Sequence, residues 1–161
     1  MKIVSFVFFI MGIFFLGACA PKQYIKQNAA LIIFKTPAFQ YADLGFIYEN
    51  KEETKVEIYS NAQPLMSLKI LKETICMSFL KCMSKETFNQ KVLSAYYPQD
   101  TLAHIFHGKP IFEQTGLEKN RNGFTQKIVS PKKYDIFYSV LNDEIIFRDT
   151  INQILIKVKK Q

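Results

Sequence analysis

From Leu31 onward, apolar and polar side chains alternate in short runs, the pattern of strands with one covered face. In the first such run Leu44, Phe46 and Tyr48 fall on one side, and Asp43, Gly45, Ile47 and Glu49 on the other. Beyond a polar turn at 50–53, Val56 and Ile58 alternate with Lys55, Glu57 and Tyr59 to give a second strand. Asn61-Ala62-Gln63-Pro64 ends it, because proline lacks a ladder donor and asparagine favours turns. A strand over 67–71 then pairs, through Lys72-Glu73-Thr74, with one over 75–79.

The period changes at Ser84, which can cap a helix carrying Glu86 in its first turn and Phe88, Val92 and Leu93 at helical spacing. Pro98 and Asp100 open a second short helix with Leu102, Ile105 and Phe106 on one side and Gly108 and Pro110 as stop signals. Residues 116–123, rich in Asn, Lys and Arg, read as a mobile loop. Four strands follow at 124–129, 134–141, 144–148 and 151–159 with short polar connections, which implies a meander. In the last, Ile154, Ile156 and Val158 share one face, opposite Leu155, Lys157 and Lys159. Strands, two helices, then strands predict a single α+β domain over 31–161. The expected form is a curved antiparallel sheet, an open half-barrel, with short helices covering its concave face.

Ahead of this domain Met1-Lys2 and the apolar run from Ile3 to Phe15 lead to Leu16-Gly17-Ala18-Cys19, the pattern of a bacterial lipoprotein signal peptide over 1–18. The run is shorter than the roughly 20 residues that span a bilayer. Cys19 is then the lipidation site, carrying diacylglycerol and an N-acyl chain, and 19–30 a tether. Ala20, rather than an aspartate, follows Cys19, which points to the outer membrane, with the domain facing the periplasm. The formal net charge is +7, but acids are interspersed with the lysines, as in Glu49-Asn50-Lys51-Glu52-Glu53, so nucleic acid is not the expected partner and anionic lipid fits better. In such a compartment Cys76 and Cys82 are predicted to form a disulfide, the alternative being two buried free thiols.

Catalytic chemistry finds few candidates. His104 and His107 are the only histidines, at i and i+3, without a carboxylate in a known metal-binding pattern. No nucleophile motif or glycine-rich phosphate loop is present, so neither an enzyme nor a metal or cofactor beyond the lipid on Cys19 is expected. Aromatic residues make up 14% of the chain, without a tryptophan, and many sit on predicted strands. A curved sheet under helices can enclose an apolar cavity.

With the lipobox, the order of elements and the C-terminal run Glu144-Ile145-Ile146-Phe147, the chain resembles the LolA/LolB group of lipoprotein carriers over about 38–161, closest to its outer-membrane member LolB. The resemblance implies an outer-membrane acceptor, acting as a monomer, that takes acylated lipoproteins from a periplasmic LolA-like carrier. In that group an exposed leucine in an Asn-Pro-Leu-Gly turn helps insert cargo in the membrane. Asn61-Ala62-Gln63-Pro64-Leu65-Met66-Ser67 stands in the comparable place, which gives Leu65 and Met66 the insertion role. The glycine is replaced by Met66, and the group's longer N-terminal helical stretch and its tryptophans are missing. The expected acyl cavity is lined by Phe46, Ile58, Ile70, Ile136, Tyr138, Phe147 and Ile156. Two other roles suit the same scaffold: a non-transporting assembly or binding module of the envelope, and a surface adhesin.

Overall fold

Alternating strands gain most when both neighbours offer a matching apolar face, and the first and last strands do this for one another. The computed structural model describes residues 24–78 and 80–161, so the signal peptide and Cys19 lie outside the described residues. β1 (Lys26–Lys35) and β11 (Ile154–Lys160) run antiparallel with Ile32 opposite Val158 and Phe34 opposite Ile156. From β1 the chain meanders outward through β2 (Gln40–Glu49), β3 (Glu53–Ser60), β4 (Gln63–Leu71), β5 (Thr74–Met77) and β6 (Leu80–Ser84). It then passes through helices α1 (Lys85–Val92) and α2 (Thr101–His107) and a short turn at Phe112–Gln114 to the other edge. There β7 (Leu117–Asn120), β8 (Gly123–Ser130), β9 (Tyr134–Leu141) and β10 (Glu144–Asp149) meander back to β11. The result is an open antiparallel sheet of eleven strands in the order 6-5-4-3-2-1-11-10-9-8-7, with two short helices in the connection between its edges.

Both helices begin and end as their sequence signals direct. The Ser84 side chain accepts from the Thr87 amide at the start of α1, and Gly108 takes the left-handed conformation (φ 64°) that closes α2. Phe88 and Val92 of α1 and Leu102, Ile105 and Phe106 of α2 are buried in one cluster with the apolar face of the sheet. Cys76 on β5 and Cys82 on β6 are joined by a disulfide, their Cα atoms 4.0 Å apart.

Four expectations need correction. Phe46 is half-buried on the outward face, against Tyr48 and Tyr59 at ring distances of 6.0 and 5.8 Å, while Gly45 and Ile47 point inward. Alternation separates two faces without saying which is inside. Here a Cβ at Gly45 would stand 2.1 Å from the Glu57 carbonyl oxygen of β3 and 3.0 Å from Ile32 Cδ1, so only glycine fits at this inward position. Within the segment 19–30, expected to be a tether, Lys26–Ala30 belong to β1 and Ala30 is fully buried. The break at 61–64 does end β3 at Ser60 but is shorter than expected: the hairpin turns on Asn61 and Ala62, both at positive φ (51° and 62°), and Gln63 and Pro64 already belong to β4, Pro64 beside a register shift where its missing donor is tolerated. Residues 116–123 are not a loop, because Leu117–Asn120 pairs with Gly123–Gln126 as a hairpin.

The inward and outward assignment has a direct consequence. Ile58→Ala is expected to cost about 2–5 kcal/mol in urea unfolding, and Phe46→Ala markedly less; the reverse order would place Phe46 inside.

Candidate functional site

The inward face carries six of the seven residues expected to line an apolar interior. Ile58, Ile136, Tyr138, Phe147 and Ile156 have no exposed surface, and Ile70 has 3%. Phe46 is the exception, turned outward. The six are brought together, but in a packed cluster: Phe106 of α2 meets Phe34 of β1 at 6.2 Å between ring centroids, and Tyr97 meets Phe147 at 5.8 Å.

Polar anchors tie the helical connection to strands on both halves of the sheet. Asp149, 1% exposed at the end of β10, accepts the Tyr97 hydroxyl, the amides of Asp135, Ile151 and Asn152, and the Asn152 side-chain amide. With that many donors the carboxylate is fully engaged and acts as a structural clasp. Burial, and then Asp149, push the Tyr97 hydroxyl well above the ordinary phenol range. The Tyr138 hydroxyl on β9 donates to the carbonyls of His104 and Lys109 at 3.4 and 3.0 Å. Gln126 on β8 accepts from the Ile111 amide and donates to the carbonyls of Ile111 and Thr115. These bonds hold a turn in which Phe112, Glu113 and Gln114 all have positive φ. On the other half, His107 Nε2 and Thr54 Oγ1 of β3 share a hydrogen bond of 2.7 Å.

A mouth opens beside this core. Ala38, Phe39, Tyr41, Met77, Leu80, Lys91 and Val92 line a mostly apolar pocket of about 300 Å³, walled by the β1–β2 turn region, the β5–β6 hairpin and the end of α1. Met77 and Val92 are members of the core, and Phe39 and Tyr41 pack on it, with the Phe39 ring edge-on to Phe34 at 5.0 Å. The disulfide closes the hairpin that supplies Met77 and Leu80.

No protein-family model matches the chain, and no curated protein matches it.

The Leu65-Met66 pair is divided by the pleat. Leu65 is 40% exposed just past the β3–β4 turn, whereas Met66 is 1% exposed and faces the core opposite Ile58, so only Leu65 stands on the surface. Two consecutive strand residues cannot share a face. Met77 and Val92 were legible as apolar positions of a strand and a helix, but their meeting with Phe39 and Tyr41 is a property of the tertiary fold. Among the described residues no three His, Cys, Asp or Glu side chains converge as a metal site would need, and no helix is long and apolar enough to cross a membrane.

His107 supplies a pH test. Burial holds its imidazole below the ordinary 6.5, with Glu49 opposing, so the folded chain binds this proton less readily than the unfolded one. The stability that the neutral ring provides is present above pH 6.5 and declines as pH falls through that value. Urea midpoints measured at pH 7.5 and 5.5 are expected to differ less in His107→Gln than in the wild type.

Proposed function

We propose that this protein is a lipid-anchored acceptor of acylated lipoproteins, held in the outer membrane through Cys19 and acting as a monomer without catalysis. Its cargo arrives on a periplasmic carrier of the LolA kind. In this reading the sheet is curled into an open half-barrel with the helices over its concave face. The curl is supported by the anchors of α2: His107 bonds Thr54 on β3, and the carbonyl of His104, one turn away, is bonded from Tyr138 on β9. Those strands are five ladder steps apart. A flat sheet would hold them about 24 Å from each other, against about 5 Å for a helical turn.

The observation that carries the acceptor reading is the apolar mouth at Phe39, Tyr41, Met77, Leu80 and Val92, which continues into the core. An acyl chain of roughly fifteen methylenes costs on the order of 12 kcal/mol in water, so a carrier must hide it. Because Ile58, Tyr138, Phe147 and Ile156 are already covered by helix side chains, the chain enters at the mouth and displaces α1 as it goes deeper. Leu65, exposed beside the β3–β4 turn, then contacts the membrane during release.

The packed interior also favours a second reading, a non-transporting assembly or binding module of the envelope. One experiment separates them. The purified mature chain lacking Cys19 is expected to bind a fluorescent acylated peptide, with affinity lowered at least tenfold by Leu80→Glu at the mouth and unchanged by Leu65→Glu, which instead blocks transfer of the peptide to vesicles. No binding of the acylated peptide, together with recovery of a stable protein partner by crosslinking, would overturn the acceptor reading in favour of the second.

A further inference from the structure

Two lysines on the outward face of the sheet are ion-paired. Lys55 pairs with Glu57 at 2.9 Å and Lys157 with Glu144 at 2.8 Å. One row alternates cations with apolar side chains. Reading across five strands, Lys127 of β8 stands opposite Phe137 of β9, Phe137 opposite Arg148 of β10, Arg148 opposite Leu155 of β11, and Leu155 opposite Lys35 of β1. All five point outward: Lys127, Arg148 and Lys35 are exposed, Phe137 is 47% exposed and Leu155 half-buried. Among the described residues none of the three cations is ion-paired.

Strand spacing puts the cations about 10 Å apart, with an apolar side chain between each pair. Arg148 lies between two shallow clefts, one of about 500 Å³ that also holds Lys35 and one of about 310 Å³ that also holds Lys127. Two carboxylates border them. Asp149 is 1% exposed, its oxygens taken by the donors described above, and Asp135 accepts the Thr150 hydroxyl. The row therefore offers three exposed cations outside any salt bridge, in excess over the two carboxylates beside them, with hydrophobic side chains at the same height.

We propose that this row is a docking surface for the anionic headgroup layer of a bilayer. Cations separated by exposed apolar groups match an interface in which phosphates lie beside acyl carbons, and an aromatic ring such as Phe137 suits that depth. The ladder places Lys35 opposite Gln40, at the end of the sheet where β3 turns into β4, so the row and the exposed Leu65 share one end of the molecule. The surface is defined by charge and register alone and does not rest on the acceptor reading.

The absence of tryptophan from the chain allows a clean test. The full chain carrying Phe137→Trp is reconstituted into vesicles of phosphatidylcholine alone, or mixed with phosphatidylglycerol, containing brominated lipid as quencher. Tryptophan emission is expected to shift to the blue and be quenched only in the phosphatidylglycerol vesicles, and to recover at high salt. Lys35→Gln, Lys127→Gln and Arg148→Gln should each weaken the phosphatidylglycerol response about fivefold, and the triple variant on the order of a hundredfold. Circular dichroism checks that this variant is folded. A reporter at Tyr96, exposed on the helical connection, should not respond. Equal quenching in both vesicle types, no effect of the triple variant in a folded protein, or a response to soluble polyglutamate but not to vesicles would overturn the proposal, the last pointing to an acidic protein partner.

Discussion

The antiparallel ladder between β1 and β11 is the contact on which the other interactions depend. It joins a six-strand meander that grows from β1 to a five-strand meander that ends in β11, placing the two ends of the domain side by side in the middle of one sheet. Ala30, Ile32 and Phe34 from one half and Ile154, Ile156 and Val158 from the other, all at 0–1% exposure, form a continuous apolar floor. Without that pairing each half would be a smaller sheet with its own exposed edge, and the helices between β6 and β7 would have no common surface to cover. The polar clasps are consistent with this order of dependence: Thr54, Gln126, Tyr138 and Asp149 reach the helical connection from strands on both sides of the seam.

The same arrangement shapes what the molecule can hold. An interior lined by Ile58, Tyr138, Phe147 and Ile156 is apolar enough for an acyl chain, but Phe88, Leu102, Ile105 and Phe106 already occupy it. Helices of eight and seven residues are too short to be stable alone. They are held by packing and by a few side-chain bonds, and the acceptor proposal requires that an apolar ligand offering equivalent contacts replace part of that packing.

Much of the fold was legible because local signals were strong. Ser84 capped its helix, Gly108 ended the next, and the strands 134–141 and 144–148 match their ladders closely. The failures share one cause, since periodicity in a single strand is blind to its neighbours. Phe46 lost the inward side to Gly45, where the Glu57 carbonyl of the neighbouring strand and Ile32 leave no room for a side chain. Met66 was paired with Leu65 in one role although the pleat sends them to opposite faces. The basic row was invisible for the same reason, because Lys35, Lys127 and Arg148 are far apart in sequence and are aligned only by the ladder register.

The central claim is that the helical filling is displaceable by an acyl chain while the β1–β11 seam stays intact. Amide hydrogen exchange, followed by mass spectrometry with and without saturating acylated peptide, tests it most directly. A displaceable filling predicts faster exchange in Lys85–Val92 with β1 and β11 unchanged. Unchanged or slower exchange in that helix when the peptide is bound would contradict it.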